Sequence, residues 1–132
     1  MASILKVNTF TGASTAGSIA VTGEGNSTTT NLQQGLAKSW ITFTSAASFT
    51  NRDSFNVSSL GDGGAGSGTV TMTSAMSSTY HTVQAQSSNN HALTDYGGNG
   101  HTTTVYKCFS MNSGQSLTDA SAQYGSVEGD LA

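Results

Sequence analysis

From Ala37 the chain settles into a period of two. In WITF, Ile41 and Phe43 fall on one side of an extended backbone, Trp40 and Thr42 on the other. DSFNVSSL sets Phe55 and Val57 against Ser54, Asn56 and Ser58, and TVTMTSAM sets Val70, Met72 and Ser74 against Thr69, Thr71 and Thr73. A backbone with this period buries one face and wets the other, which a sheet does and a helix does not. The Gly-rich GDGGAGSG, residues 61–68, lies between two such runs and predicts a hairpin with a longer-than-minimal loop. YHTVQAQS and TTTVYKCFSM predict two more strands, GGNG (97–100) a turn, and SLTDASAQYGSV one weak strand.

The N-terminal part reads differently. SILKVNTF and GSIAVTGEG predict two short strands, NSTTTN (26–31) a polar linker, and LQQGLAKS (32–39) one or two helical turns with Asn31 as N-cap. The expected organisation is therefore residues 1–31 as N-terminal strands and polar linker, then 32–132 as a β module. Six or seven strands with turn signals every 8–15 residues predict an all-β, antiparallel β-sandwich of jelly-roll or immunoglobulin-like type.

Composition limits what such a sandwich can bury. Of the 132 residues, 35% are hydrophobic and 8% charged, against about 25% charged in ordinary globular chains. Disordered chains are normally rich in charge and short of β-branched residues. This one is poor in charge and rich in Thr, whose branched Cβ suits a pleated surface. The apolar fraction is thin for a self-sufficient core, so stability gained through oligomerisation is expected. The densest apolar group is Trp40, Phe43, Phe55 and Val57, which we expect to form the core or a subunit interface. Lys38, Arg52 and Asp53 flank it, either as inter-subunit ion pairs or as solvated strand ends.

Several functions are disfavoured. Four Lys plus Arg and a net charge of −3 make nucleic-acid binding implausible. No apolar stretch is long enough to insert in a membrane, and MASILKVNTFTGAS lacks the apolar centre of a secretory signal. The single cysteine, Cys108, forms no internal disulfide, which suits synthesis in a reducing cytoplasm. It sits in an apolar run beside Phe109 with no local nucleophile signature, so a buried structural thiol is expected. His81, His91 and His101 fall ten apart and lack zinc-ligand spacing; only repetition around a threefold axis would gather them on a metal. GDGGAGSG lacks the lysine of a phosphate loop, and the carboxylates are scattered. No catalytic residue, metal or cofactor is expected.

GLAKSWITF, RDSFNVSSLGDGGAGSGTVTMTSAM and TYHTV, spanning about 35–83, resemble a β module of tailed-bacteriophage tail fibres and other virion surface proteins, notably of marine phages. The match extends more loosely to LTDAS (117–121), and ILKVNTFTGAS is similar to the virion-proximal openings of fibre proteins. Related modules close on an alternating apolar strand, whereas SAQYGSVEGDLA is polar and acidic. The resemblance implies a non-enzymatic virion structural protein, a homotrimer on the particle surface as short tail fibre or capsid decoration. Its partners would be copies of itself and other virion proteins, with residues 1–31 docking on the virion. The rival expectation is a carbohydrate-binding receptor module. It would present Asn89, Asp95, Tyr96 and Asn99 of the loop NNHALTDYGGNGH to a host surface glycan.

Overall fold

The computed structural model describes residues 6–13, 19–22, 29–32, 35–97 and 100–132. The chain divides into two compact units, Met1–Leu36 and Ala37–Ala132.

In the first unit, β1 (Ala20–Thr22) pairs antiparallel with β2 (Thr29–Asn31). The pair is extended by a hydrogen bond from Leu32 N to the Ile19 carbonyl, 2.8 Å. One expectation fails here. The end of NSTTTN is strand rather than linker, because Thr29–Asn31 finds a ladder in β1. Of LQQGLAKS, residues 33–34 lie outside the described residues; Gly35 N closes a single turn on the Asn31 carbonyl at 3.1 Å, and Ala37–Ser39 belong to the next strand. Of SILKVNTF, residues 3–5 lie outside the described residues and 6–10 form no strand.

The second unit is an all-β sandwich of two four-stranded antiparallel sheets, with no helix among the described residues. Its strands are β3 (Ala37–Thr44), β4 (Thr50–Phe55), β5 (Val57–Asp62), β6 (Ser67–Met72), β7 (Thr82–Ser87), β8 (His91–Leu93), β9 (Val105–Met111) and β10 (Gln123–Glu128). The first sheet runs β4-β3-β10-β7 and the second β5-β6-β9-β8. The expected hairpin across 61–68 is present as β5–β6. Its tip is tied down where Gly66 N donates to the Asp119 carboxylate at 2.7 Å. Gly66 has φ +65°, and a Cβ there would stand 2.5 Å from the Ser110 carbonyl oxygen, so both conformation and space require glycine.

DSFNVSSL is not one strand. Asn56 takes φ +55°, breaking the alternation so that β4 ends in the first sheet and β5 begins the second. Asparagine tolerates this region better than most residues. Its amide Nδ2 donates to the Lys38 carbonyl at 2.8 Å, and its Oδ1 accepts from Ser74 N at 2.7 Å. The corner is thereby held between the sheets.

The core lies between the four inner strands. Ile41 and Phe43 of β3 and Val127 of β10 meet Val70 and Met72 of β6 and Tyr106 and Cys108 of β9, with Met76 from the β6–β7 link. The strand expected to be weak is central: β10 pairs with β3 on one side and β7 on the other. Its polar appearance hides an alternation of Gln123, Gly125 and Val127 inward with Tyr124, Ser126 and Glu128 outward. Gly125 is where Cys108 and Tyr106 press across from the other sheet. A Cβ would stand 2.7 Å from the Cys108 sulfur and 3.0 Å from the Tyr106 ring. A glycine and a buried amide fill the positions where apolar residues would have marked the strand.

Candidate functional site

The four residues expected to form one core or interface group divide. Phe43 is fully buried and stacks on Phe49, ring centroids 6.1 Å apart. Val57 packs against the core from β5. Trp40 and Phe55 do not join them: they are 37% and 53% exposed. They sit opposite each other across β3 and β4, on the outer face of the first sheet. Directly opposed residues extend this face as two rows, Phe55-Trp40-Ser126-Gln84 and Asp53-Thr42-Tyr124-Gln86. Tyr124 is 44% exposed and stands diagonally across from Trp40. The face thus carries three aromatic side chains among amides, hydroxyls and the Asp53 carboxylate. Tyr124 is the member that the sequence reading missed; the alternation of QYGSVE was the available signal. Of the charged residues that flank the aromatic group in sequence, Arg52 donates to the Ser121 carbonyl at 2.7 Å, Asp53 accepts from Ser54 N, and Lys38 is buried.

The expected ligand loop, 89–101, contains strand β8, which pairs with β9 through His91↔Met111 and Leu93↔Phe109. Asn89 is turned inward. Its Nδ2 serves Ser110 Oγ at 2.9 Å and the Thr118 and Asp119 carbonyls at 3.2 and 3.1 Å, so it fastens the sheet to segment 118–119. Asp95 is exposed, and Asn99 lies outside the described residues. Tyr96 is the expected residue that reaches a concavity. It borders a shallow groove of about 600 Å³ on the outer side of the second sheet, with Asn90, His91, Leu93, Met111 and Gln115. Its ring tilts at 53° against Phe109, centroids 5.8 Å apart, while 44% of the residue stays exposed. His91 and Gln115 were not expected here; they arrive through the β8–β9 pairing and the turn after β9.

Other chemistry-bearing side chains are placed as follows. Cys108 is buried in the core, and burial pushes its thiol up to about 12. Burial likewise raises the Tyr106 phenol, opposed by a 3.3 Å hydrogen bond with Ser39 Oγ. His81 and His101, twenty residues apart in sequence, meet with ring centroids 4.5 Å apart and planes tilted by 48°. His81 Nδ1 meets the Ser78 carbonyl at 2.9 Å, while His81 Nε2 and His101 Nδ1 are buried with no hydrogen-bond partner among the described residues. Among the described residues no group of three or more His, Cys, Asp or Glu side chains is arranged to hold a metal ion. Asp62 and Asp119 border a smaller hollow, but each has a carboxylate oxygen committed to a backbone amide at 2.7 Å.

Comparison with protein-family models, curated proteins and solved structures returned no match. The fold defines the class, a two-sheet antiparallel β-sandwich. Its candidate surfaces are the aromatic face of the first sheet and the Tyr96 groove of the second.

Proposed function

We propose that this protein is a non-enzymatic structural component of a tailed-phage virion, assembling as a homotrimer on the particle surface as a short tail fibre or a capsid decoration. The observation that carries the reading is the outer face of the first sheet. Outside the first unit, the exposed large hydrophobics are Trp40, Phe55, Tyr124, Leu93, Tyr96 and Tyr80. Three of these six share that one face. Exposed aromatic residues grouped on a flat sheet mark a contact surface. The sequence resemblance to virion surface modules supplies the biological setting. The deeply buried, poorly ionised thiol and phenol suit a structural role better than nucleophilic or acid–base chemistry.

Sedimentation velocity of the full chain tests the assembly. A species of three times the chain mass is expected, and Trp40→Ser should shift it to monomer while leaving the sandwich folded. A wild-type chain that stays monomeric at high concentration overturns the oligomer. Locating the protein in intact particles tests the setting: copies following the icosahedral lattice mean decoration, a few copies at the tail mean fibre. Absence from the particle overturns both. Residues 3–25 are the proposed virion anchor. Deleting them should leave a folded β domain that no longer joins particles, and undiminished incorporation would refute the anchor.

A further inference from the structure

We infer that the groove beside Tyr96 is a binding site for an uncharged saccharide, a pyranose presented singly or in a short neutral chain. A pyranose needs a flat apolar platform for its C–H face and neutral groups that both donate and accept toward its hydroxyls. The groove offers both. Tyr96 is braced at 5.8 Å by Phe109, so its ring is held while 44% of the residue remains exposed. Leu93 and the buried Met111 carry the apolar surface on. Asn90, His91 and Gln115, two carboxamides and an imidazole, complete the lining, and among the described residues no Asp, Glu, Lys or Arg lines the groove. That lining has no counter-charge for an anionic sugar, a phosphate or a metal ion. A nucleobase could stack on the tyrosine, but its phosphates would meet a chain of net charge −3 with no cation at the site. The volume, about 600 Å³, lies within the range of small-ligand sites.

Gln115 adds an independent observation. It has φ +61°, a left-handed conformation that glycine adopts freely and a residue with a Cβ does not. The turn holds it there. Gln115 N donates to the Asn112 carbonyl at 3.1 Å, and Asn112 Oδ1 accepts from Gly114 N at 2.9 Å and Ser116 N at 3.1 Å. Glycine at 115 would relieve the backbone. A glutamine stands there instead and lines the groove, which points to use of the side chain.

The test is an amide chemical-shift titration of the full ¹⁵N-labelled chain with methyl glycosides of glucose, galactose, mannose and N-acetylglucosamine, and with neutral oligosaccharides of the same sugars. At least one should move residues 90–96 and 111–116 saturably. Tyr96→Ala and Gln115→Gly should each weaken that binding about tenfold or more. Gln115→Gly should match or exceed the wild-type melting temperature, so its loss of binding is not a loss of fold. Trp40→Ser should bind as wild type, which separates this site from the proposed assembly face. No saturable shift with any of these sugars up to about 50 mM, far above a dissociation constant of about 1 mM, overturns the inference. So do shifts that survive in both groove variants, shifts centred on Trp40 and Tyr124, and equal or tighter binding of sialylated sugars.

Discussion

Polar side chains do much of the fastening inside this sandwich. Gln123 is fully buried and donates to Ser45 Oγ at 2.8 Å, and the same oxygen accepts from Ala120 N at 2.9 Å. Ser87 and Ser110 hydroxyls meet at 2.7 Å, and Asn89 joins them. Net gains of about 1 kcal/mol per satisfied buried hydrogen bond supplement a small apolar core. The core in turn demands close fit. Gly125→Ala should destabilise by about 1–3 kcal/mol, because its Cβ meets the Cys108 sulfur before any rotamer relieves it. Cys108→Ala opens that space, so the double variant should lose less than the sum of the singles in urea melts; simple additivity would show the contact to be unimportant. The two aromatics of β3 give a second contrast. Phe43→Ala removes a fully buried ring and should cost about 3–5 kcal/mol. Trp40→Ala removes a half-exposed one whose cross-strand partner is Phe55, and should cost about 1 kcal/mol in the monomer. Equal losses in the two melts would place Trp40 in the folding core after all.

The corner at Asn56 sets the architecture at the element scale, by sending β4 and β5 into different sheets. Asn56→Ala loses the side-chain bonds to Lys38 and Ser74 and must hold a Cβ at φ +55° without the local help of an amide. A loss of about 2–3 kcal/mol is expected. Asn56→Gly keeps the backbone conformation and loses only the bonds, so it should melt above Asn56→Ala; the reverse order would show that the conformation is not what asparagine supplies. This corner also explains where the sequence was legible. The β5–β6 hairpin, β7 and β9 stand where alternation and Gly-rich turns put them, but ten strands form among the described residues against the six or seven read from the pattern. Asn56 was invisible because a single left-handed residue leaves the composition of DSFNVSSL unchanged. β8 was hidden by its three-residue length, and β10 read as only a weak strand because Gln123 and Gly125 hold core positions. The candidate site was partly legible. Tyr96 does border a groove, but its companions His91 and Gln115 come from pairing and turn geometry, while Asn89 serves the backbone.

At the scale of the whole molecule, the sheets share a core whose ionisable members, Cys108 and Tyr106, come from one strand, β9, and face β10. Both are held in their neutral forms by burial, and this gives global stability a pH dependence of definite sign. In the unfolded chain Cys108 ionises near its ordinary value of 9.0, whereas in the folded protein it stays protonated up to about 12. Below pH 9 the thiol is protonated in both states and contributes no slope. Between these limits the unfolded chain binds fewer protons than the folded one, so stability falls as pH rises. Tyr106, raised from 10.0, adds a loss of the same sign above its ordinary value. The urea midpoint should therefore be insensitive to Cys108 from pH 7 to 8.5 and decline from about pH 9 upward. Cys108→Ala should start lower, having lost core volume, yet decline less steeply between pH 9 and 10.5, because the thiol's share of the slope is gone. The same burial predicts that the native thiol resists a disulfide-exchange reagent at pH 8 and reacts at once in concentrated urea. Parallel pH profiles for wild type and Cys108→Ala, or rapid labelling of the native protein, would show that the space between the sheets admits water at β9.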